Sequence, residues 1–238
     1  MLILLIILAS CIWATVCLAA AWYLPGIVTR WWCDRRLQGA TQGRGILALT
    51  YDDGPGSRTT PELLDLLAEL EAKATFFLIG SPAERHPDIV HRLIDEGHTI
   101  GWHTQSHRNQ WKTGPLRSLA DLRVPPRVDE ITRGELALFR PPYGKLTLGT
   151  IATCVLRRWR IISWTHVSGD THQNLPEIDA VVQRVDRAGG GVVLMHDMDR
   201  HDPARPDFVL ATTRALVENA KRRGWKIAHS TNDWQRIA

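Results

Sequence analysis

The hydrophobic residues divide the chain into one uninterrupted apolar stretch and a longer region in which apolar and polar segments alternate. Residues 2–24 contain no charged side chain, and their polar interruptions are Ser10 and Thr15. A helix over these residues is about 34 Å long, which is enough to cross a hydrocarbon core about 30 Å thick. The pattern therefore predicts a transmembrane helix or signal anchor over residues 1–24.

A cleavable signal peptide is the alternative interpretation of this stretch. The small residues 19–21 offer a cleavage site, but no Lys or Arg precedes the stretch, and it is longer than a usual signal core. Trp22, Tyr23, Trp31 and Trp32 suit the aromatic belt of a membrane interface. A retained helix is therefore favoured.

Residues 25–43 are predicted to form a basic juxtamembrane linker, because proline and glycine interrupt the segment at Pro25, Gly26, Gly39 and Gly43. The formal net charge of +4 is concentrated near this segment, and the rest of the chain is almost neutral. No basic face is available to cover phosphates, so a nucleic-acid partner is not indicated. The positive-inside rule would place the domain on the cytoplasmic side of the membrane.

Beyond residue 44, short apolar runs alternate with amphipathic segments. The predicted strands cover residues 46–50, 75–79, 98–102, 137–140, 160–164, 191–195 and 226–229. The predicted helices cover residues 61–72, 87–96, 176–188 and 207–223. Because the strands are continuously apolar, a parallel sheet covered by helices is expected, and seven such units favour barrel-like closure over a short open sheet. Segment 115–133 also has a helical pattern, but Pro125 and Pro126 argue against one continuous helix.

Polar residues that can carry chemistry follow five of the predicted strands. They are Asp52, Asp53, His103, His107, Arg140, Tyr143, Asp170 and His196. In parallel α/β folds, functional groups collect at the carboxyl ends of the strands. One site at this edge of the sheet is therefore predicted.

A metal site is the simplest use of these residues. His103 and His107 are spaced to lie on one face of a helical turn, from which both imidazoles can reach one ion. One carboxylate of the pair Asp52 and Asp53 can complete a three-ligand site with open positions. Adjacent side chains on an extended segment point apart, so the second carboxylate is free to accept a proton.

These motifs resemble those of the NodB-type polysaccharide deacetylases, carbohydrate esterase family 4, and the resemblance covers roughly residues 44–235. The matching motifs are Thr50-Tyr51-Asp52-Asp53-Gly54, His103-Thr104-Gln105-Ser106-His107, Arg140-Pro141-Pro142-Tyr143-Gly144 and Leu194-Met195-His196. The resemblance implies that residues 44–238 form a catalytic domain with an α/β fold, a distorted, incomplete (β/α) barrel of about seven parallel strands. It also implies a hydrolase that removes N-acetyl groups from an N-acetylglucosamine-type polymer, usually in the cell envelope.

The resemblance further implies a role for each motif residue. Asp53, His103 and His107 would bind a divalent metal, most simply Zn²⁺, with Co²⁺, Mn²⁺ or Ni²⁺ as alternatives. Asp52 would be the general base and Arg140 would orient it. His196 would be the general acid, and the backbone N–H of Tyr143 would bind the oxyanion.

One motif departs from the family pattern. The usual D-x-x-D-W sequence corresponds to residues 167–171, where only the second acid, Asp170, is present. Asp170 is therefore predicted to stabilise the charged form of His196. Trp102 and Trp111 bracket the metal motif and are candidates for contact with a sugar ring.

Three other functions remain open from the sequence. A lipid-linked sugar at the membrane would suit the Arg-rich flank, and a sugar-binding relative without activity would suit the altered motif. Non-haem iron oxygenases also bind metal through two histidines and a carboxylate, but the second aspartate, the arginine motif and the late histidine fit that class poorly. The implied partners are an N-acetylated glycan and, through the first helix, a membrane; no protein partner is indicated.

Overall fold

The computed structural model describes residues 1–238, which form ten α-helices and eight strands. The helices are α1 (Leu2–Thr41), α2 (Thr59–Glu69), α3 (Gly80–Arg85), α4 (Pro87–Asp95), α5 (Pro115–Asp121), α6 (Pro126–Ile131), α7 (Leu148–Arg157), α8 (Ile178–Arg187), α9 (Ala204–Arg222) and α10 (Thr231–Ile237). The strands are β1 (Ile46–Asp52), β2 (Thr75–Leu78), β3 (Thr99–Trp102), β4 (Leu138–Phe139), β5 (Arg160–Ile161), β6 (His166–Val167), β7 (Gly190–His196) and β8 (Lys226–Ile227). A short 3₁₀ turn covers Pro142–Gly144.

All strand pairs are parallel, and seven strands follow one another in the order β5-β4-β3-β2-β1-β7-β6. The short strand β8 pairs only with the first two residues of β1. The predicted parallel half-barrel of about seven strands is confirmed. The predicted strand over 160–164 is shorter, because the chain leaves β5 after Ile161 and pairs again as β6 at the opposite edge of the sheet.

Residues 162–165 cross the gap between these two edges. The Arg140 side chain donates hydrogen bonds to the carbonyl oxygens of Ile162, at 3.4 Å, and Ser163, at 2.9 Å. The Thr165 N–H donates to the carbonyl oxygen of Val192 in β7 at 2.9 Å. A single crossing segment and a buried guanidinium therefore occupy the place where a complete barrel would have a strand ladder.

Alternate residues of each strand point to opposite faces of the sheet. On β1, Leu47, Leu49 and Tyr51 belong to the larger apolar core, which includes residues of helices α2, α4 and α9. Ala48 belongs to the smaller cluster inside the half-barrel, together with Leu37 of α1 and seven other residues. The interior is thus closed by the first and last helices of the chain rather than by strands.

The predicted helices lie close to their expected positions as α2, α4, α8 and α9. Segment 115–133 contains two short helices, α5 and α6, separated at Pro125 as expected. Helix α7 begins with a capping box between Thr147 and Thr150, a local start signal at the sequence level. Helices α3, α7 and α10 were outside the sequence-based prediction.

The segment predicted as a linker is helical, because α1 continues through Pro25 to Thr41. Its buried positions, Gly26, Leu37 and Thr41, lie on the side of α1 that faces the domain. A Cβ atom at position 26 would overlap the carbonyl oxygen of Leu146, so glycine permits this close approach. Packing along this side outweighs the cost of proline in a helix interior, about 3 kcal/mol.

Arg30, in the same half of α1, is used within the fold. Its Nε atom donates to Asp34 Oδ1 at 2.7 Å, and its guanidinium lies 3.9 Å from the ring centre of Trp164. Asp34 also accepts a hydrogen bond from Ser163, in the segment that crosses the open side of the barrel. Helix α1 therefore supports the part of the barrel that lacks strand pairing.

We predict that Leu37→Ala lowers the free energy of unfolding by about 2–5 kcal/mol, since it removes a buried leucine from the interior cluster. Gln38→Ala, at the exposed neighbouring position, should change it by less than about 0.5 kcal/mol. Urea unfolding of the full chain in detergent, followed by tryptophan fluorescence, measures both values. Equal stability of the two variants would contradict the packed position of α1.

Candidate active site

The carboxyl ends of four strands bring the predicted site residues together. Asp52 is the last residue of β1 and is in register with His196, the last residue of β7. His103 directly follows β3, and Arg140 directly follows β4. Because all strands are parallel, these ends meet at one rim of the half-barrel, as the sequence analysis predicted.

Asp53, His103 and His107 form the candidate metal centre. One potential ligand atom from each lies within 4.8 Å of the others. Oδ1 of Asp53 is 3.1 Å from Nε2 of His107 and 3.4 Å from Nε2 of His103. The Nδ1 atom of His103 is 2.7 Å from the carbonyl oxygen of Arg140, which orients the ring with Nε2 towards the cluster.

The two histidines are not on a helix, so the prediction of a helical turn is wrong. Residues 103–107 form a loop in which Thr104 has φ 71° and His107 has φ 54°. Asp121 holds this loop by accepting hydrogen bonds from the N–H groups of Ser106 and Arg108 at 2.9 Å and 3.1 Å. Left-handed backbone conformations at non-glycine residues are costly, and they persist where surrounding contacts enforce them.

The electrostatics of the cluster fit a divalent ion. Oδ1 of Asp53 is buried and makes no hydrogen bond of normal geometry within the protein. Burial opposes its ionisation, but contact with His103 and the charges of the nearby imidazoles lower the pKa of this carboxyl overall. Burial lowers the pKa of His107. A carboxylate and two imidazoles that converge in this way are a donor set that a cation such as zinc prefers.

Asp52 is held by Arg140 beside the candidate metal centre. The Nη1 atom of Arg140 donates to Asp52 Oδ1 at 2.7 Å and to Thr50 Oγ1 at 2.8 Å. Burial lowers the pKa of Arg140, and the charge of Asp52 opposes this change. Asp52 Oδ2 lies 3.8 Å from His103 Nε2, so the second oxygen of the carboxylate faces the cluster.

His196 is paired with Asp170 on the other side of the cluster. Its Nδ1 atom is 3.0 Å from Asp170 Oδ2, and its Nε2 atom is 4.0 Å from Asp53 Oδ2. Burial disfavours the charged ring, but the hydrogen bond to Asp170 and the surrounding carboxylates outweigh burial and raise the pKa of His196. Ser168 Oγ donates to Asp170 Oδ1 at 2.7 Å, which holds this carboxylate in position.

Asp197 and Asp199, which sequence reasoning missed, anchor the loop after Asp53. Asp199 accepts from the backbone N–H groups of Ser57 at 2.7 Å and Thr59 at 3.0 Å, at the start of α2. Burial raises the pKa of Asp197 to about 7, although its short hydrogen bond from Thr60 opposes this. In the sequence, the only indication that Asp197 and Asp199 anchor this loop is that both residues follow β7.

The aromatic side chains near the site differ from the prediction. Trp102 is fully buried and donates from Nε1 to the carbonyl oxygen of Leu122, so its assignment as a sugar contact is wrong. Its position on β3 makes it a core residue on the helix-covered face of the sheet. Trp111 is half-buried against Tyr23, with ring centres 5.6 Å apart, and its contact with sugar stays a prediction.

Tyr143 is an exposed aromatic residue beside the cluster. The sequence analysis gave a role only to its backbone N–H and none to its side chain. Its side chain is 59% exposed, and its ring centre is 4.7 Å from that of His107. Its φ of 56° turns the chain sharply after Pro142. The ring is thus positioned beside the cluster, where a saccharide could stack on it.

Comparisons with known proteins agree with this fold and site. A family model described as polysaccharide deacetylase matches residues 39–154. A peptidoglycan-N-acetylglucosamine deacetylase of Bacillus cereus is 31% identical over 183 residues, which cover 76% of this chain and 84% of that protein. A chitooligosaccharide deacetylase of a Bradyrhizobium species is 28% identical over 204 residues, covering 81% and 92% of the two chains.

Solved structures show the same architecture. The crystal structure of the Bc1960 peptidoglycan N-acetylglucosamine deacetylase superimposes with a TM-score of 0.70 at 27% identity, covering 82% of this chain and 91% of that one. A half-barrel of parallel strands with this rim is the fold of an enzyme class, the carbohydrate esterases of family 4. The chain belongs to the polysaccharide deacetylase family within that class.

We predict that His107→Ala weakens zinc binding by at least about a hundredfold, because only two ligands of the cluster remain. His201→Ala, an exposed histidine outside the cluster, should leave the affinity unchanged. Calorimetric titration of zinc into chelator-treated full-length protein measures both constants. A wild-type affinity in His107→Ala would exclude this cluster as the zinc site.

Proposed function

We propose that the protein is a membrane-anchored, metal-dependent hydrolase that removes N-acetyl groups from an N-acetylglucosamine-type glycan. The observation that carries the proposal is the convergence of three groups at one rim. In the Asp53, His103 and His107 cluster, His103 is 3.8 Å from Asp52 of the Asp52–Arg140 pair, and Asp53 is 4.0 Å from His196 of the His196–Asp170 pair. The names of the relatives in Bacillus cereus and Bradyrhizobium support the choice of substrate.

Asp53, His103 and His107 would hold the divalent ion, most simply Zn²⁺, with Co²⁺, Mn²⁺ or Ni²⁺ as alternatives. When bound, the ion supplies a Lewis acid for the amide carbonyl and a water that is more acidic than bulk water. The close approach of the three ligand atoms, and the lack of a hydrogen bond of normal geometry at the buried Asp53 Oδ1 atom, support this assignment.

Asp52 would act as the general base. Its Oδ1 atom is occupied by Arg140, so Oδ2 is the oxygen that can accept the proton of the attacking water. Arg140 would act as a positioning residue, because its hydrogen bond to Oδ1 fixes the direction of the carboxylate. The water oxygen then forms a bond to the carbonyl carbon of the acetamido group.

The backbone N–H of Tyr143 would stabilise the negative charge that develops on the carbonyl oxygen. The hydrogen bonds of its turn are formed by the N–H groups of Gly144 and Lys145 instead, which leaves the Tyr143 N–H for substrate. His196 would donate the proton from Nε2 to the leaving nitrogen as the carbon–nitrogen bond breaks. Acetate and the free amine of the sugar are the products.

The altered motif at residues 167–171 leaves His196, the proposed general acid, with its carboxylate partner. Val167 stands where the family pattern has its first acid, but Asp170 still contacts Nδ1 of His196. The Arg140 side chain makes its hydrogen bonds with Ile162, Ser163, Thr50 and Asp52, so its donors do not depend on that missing acid. These contacts favour an active enzyme over a sugar-binding relative that has lost activity.

Helix α1 would serve as a retained membrane anchor. Residues 2–19 are exposed along their whole length, and the helix contains an uncharged stretch long enough to span a membrane. Its second half is part of the packed domain. The anchor would therefore be joined to the domain without a flexible linker.

We predict that the full chain in detergent releases acetate from N-acetylglucosamine oligomers, that chelation abolishes this, and that added zinc restores it. Asp52→Asn should lower kcat by about 10²–10⁴-fold while zinc affinity is retained, because the proton acceptor is lost and the three candidate ligands remain. Asp95→Asn, an exposed acid far from the rim, is the matched control. Zinc binding without acetate release from any N-acetylated saccharide would refute the proposed activity.

We also predict that Asp170→Asn lowers kcat by roughly tenfold to a hundredfold, because the charged form of His196 loses its partner. KM and the zinc dissociation constant should not change, since Asp170 touches neither the cluster nor the proposed acetamido position. Steady-state kinetics and zinc titration of the same preparation test this. Wild-type turnover would remove Asp170 from the mechanism.

A further inference from the structure

Helix α1 runs in the direction opposite to the strands of the half-barrel. Leu37, near its end, packs inside the barrel beside Ala48 and Val192, close to the starts of β1 and β7. Tyr23 contacts Trp111, in the segment after β3, and its hydroxyl donates to the Trp111 carbonyl oxygen at 3.4 Å. The packed half of α1 therefore extends from the bottom of the barrel to the rim that carries the site.

The uncharged half of α1 consequently projects beyond this rim. At 1.5 Å per residue, residues 2–22 extend about 30 Å past the position of Tyr23. Because α1 is one continuous helix that is packed against the domain, the direction of its exposed half is fixed relative to the site. A bilayer crossed by this half would lie over the carboxyl ends of the strands. This holds whichever side of the membrane the domain occupies.

The protein surface beside the exit of α1 has the composition of a membrane-contacting surface. Leu116, Leu119 and Leu148 are exposed, and Leu119 and Trp22 both approach Gly149, the second residue of α7. These three leucines, which we call the rim leucines, lie on α5 and α7, the two helices that meet Trp22 of α1 at Gly149. Exposed apolar side chains on short helices next to a spanning helix suit insertion into the headgroup region of a bilayer.

The charges in this region suit phosphate groups. Residues 98–120 contain no acidic side chain, whereas Lys112 and Arg117 are exposed on either side of Leu116. The ammonium group of Lys145, two residues after Tyr143, lies 4.3 Å from the ring centre of Trp111. Cationic groups beside apolar ones favour an anionic lipid surface or the phosphate of a lipid-linked substrate.

The metal cluster is close to this surface. His107 contacts Tyr143, and two residues further along the chain Lys145 covers Trp111, which in turn contacts Tyr23. These contacts connect His107, a predicted metal ligand, with Tyr23, the residue at which α1 would reach the membrane interface. A saccharide bound beside Tyr143 would therefore lie next to the bilayer surface.

We infer that the catalytic rim faces the bilayer and that the substrate is an N-acetylated saccharide carried on a membrane lipid. This inference rests on the proposed deacetylase function and specifies its substrate. The lipid tail would stay in the bilayer beside α1, its phosphate would contact the basic residues of the rim, and the acetamido sugar would reach the cluster. A polymer distant from the membrane would have to enter the space between the rim and the bilayer.

The test compares two substrates with the full-length enzyme in vesicles of phosphatidylethanolamine and phosphatidylglycerol. One is N-acetylglucosamine linked by a diphosphate to a polyprenyl chain in the same vesicles, and the other is a water-soluble N-acetylglucosamine oligomer. We expect kcat/KM for acetate release to be at least about tenfold higher for the lipid-linked sugar. Equal or faster release from the soluble oligomer would overturn the inference and leave the proposed deacetylase function intact.

A matched pair of leucine variants identifies the role of the rim. Leu116 and Leu156 are both 84% exposed, but Leu116 is at the rim in α5 and Leu156 is at the far end of α7. Leu116→Asp should lower kcat/KM on the lipid-linked sugar about tenfold and leave the soluble oligomer unaffected. Leu156→Asp should change neither, and equal effects of the two variants would contradict a bilayer-facing rim.

A measurement without turnover separates failure of this inference from failure of the proposed activity. A photoreactive benzoylphenylalanine at position 116 should form adducts with phospholipid when the vesicles are irradiated, whereas the same residue at position 156 should not. Lipid adducts without acetate release from either substrate would support the orientation and refute the deacetylase function. Adducts only at position 156, or at neither position, would refute the orientation.

Discussion

The buried pair of Arg140 and Asp52 is the interaction on which the half-barrel and its site both depend. The Arg140 guanidinium bonds to carbonyl oxygens of the crossing segment at Ile162 and Ser163, where two sheet edges meet without a strand ladder. The same group fixes one oxygen of Asp52, and the carbonyl oxygen of Arg140 contacts Nδ1 of His103. A buried charge left without its partner is strongly destabilising, typically by about 3–5 kcal/mol. Closure of the barrel, orientation of the proposed base and orientation of one predicted metal ligand therefore all depend on one residue, the first two through its side chain and the third through its carbonyl oxygen.

The sequence predicts the site well because its geometry follows from strand direction. Once the strands are parallel, residues that follow them, such as Asp53, His103 and His196, must meet at one rim. The loop geometry is different, because it depends on contacts that local sequence does not reveal. The His103–His107 spacing suggests a helical turn, yet Asp121, from α5, holds the segment in a loop with His107 at positive φ. The meeting of the three candidate ligands could be predicted from the sequence, although the local backbone could not.

Tertiary contacts also explain the residues that were misjudged. Pro25 and Gly26 interrupt a helix in isolation, but against this domain glycine allows α1 to approach the backbone of Leu146. Trp102 is an aromatic residue directly before the histidine motif, as expected of a sugar contact. Side chains alternate between the two faces along β3, and this alternation places Trp102 on the helix-covered face of the sheet. Burial at these positions depends on what packs opposite them, and that partner is distant in sequence.

Under the proposed anchoring, the continuity of α1 would connect membrane attachment to catalysis in a way that a flexible tether cannot. A tethered domain samples all orientations, so its active site meets soluble and membrane-bound substrates alike. Here, the residues that fill the barrel, such as Leu37, and the residues that can span a bilayer belong to one helix. Any rotation of the rim away from the membrane would have to bend α1 or remove it from the barrel interior, with loss of its contacts with Leu146 and Ser163. If α1 is the membrane anchor proposed above, restriction to the bilayer surface follows from the packing of the fold, and it favours a substrate that is confined to the same surface.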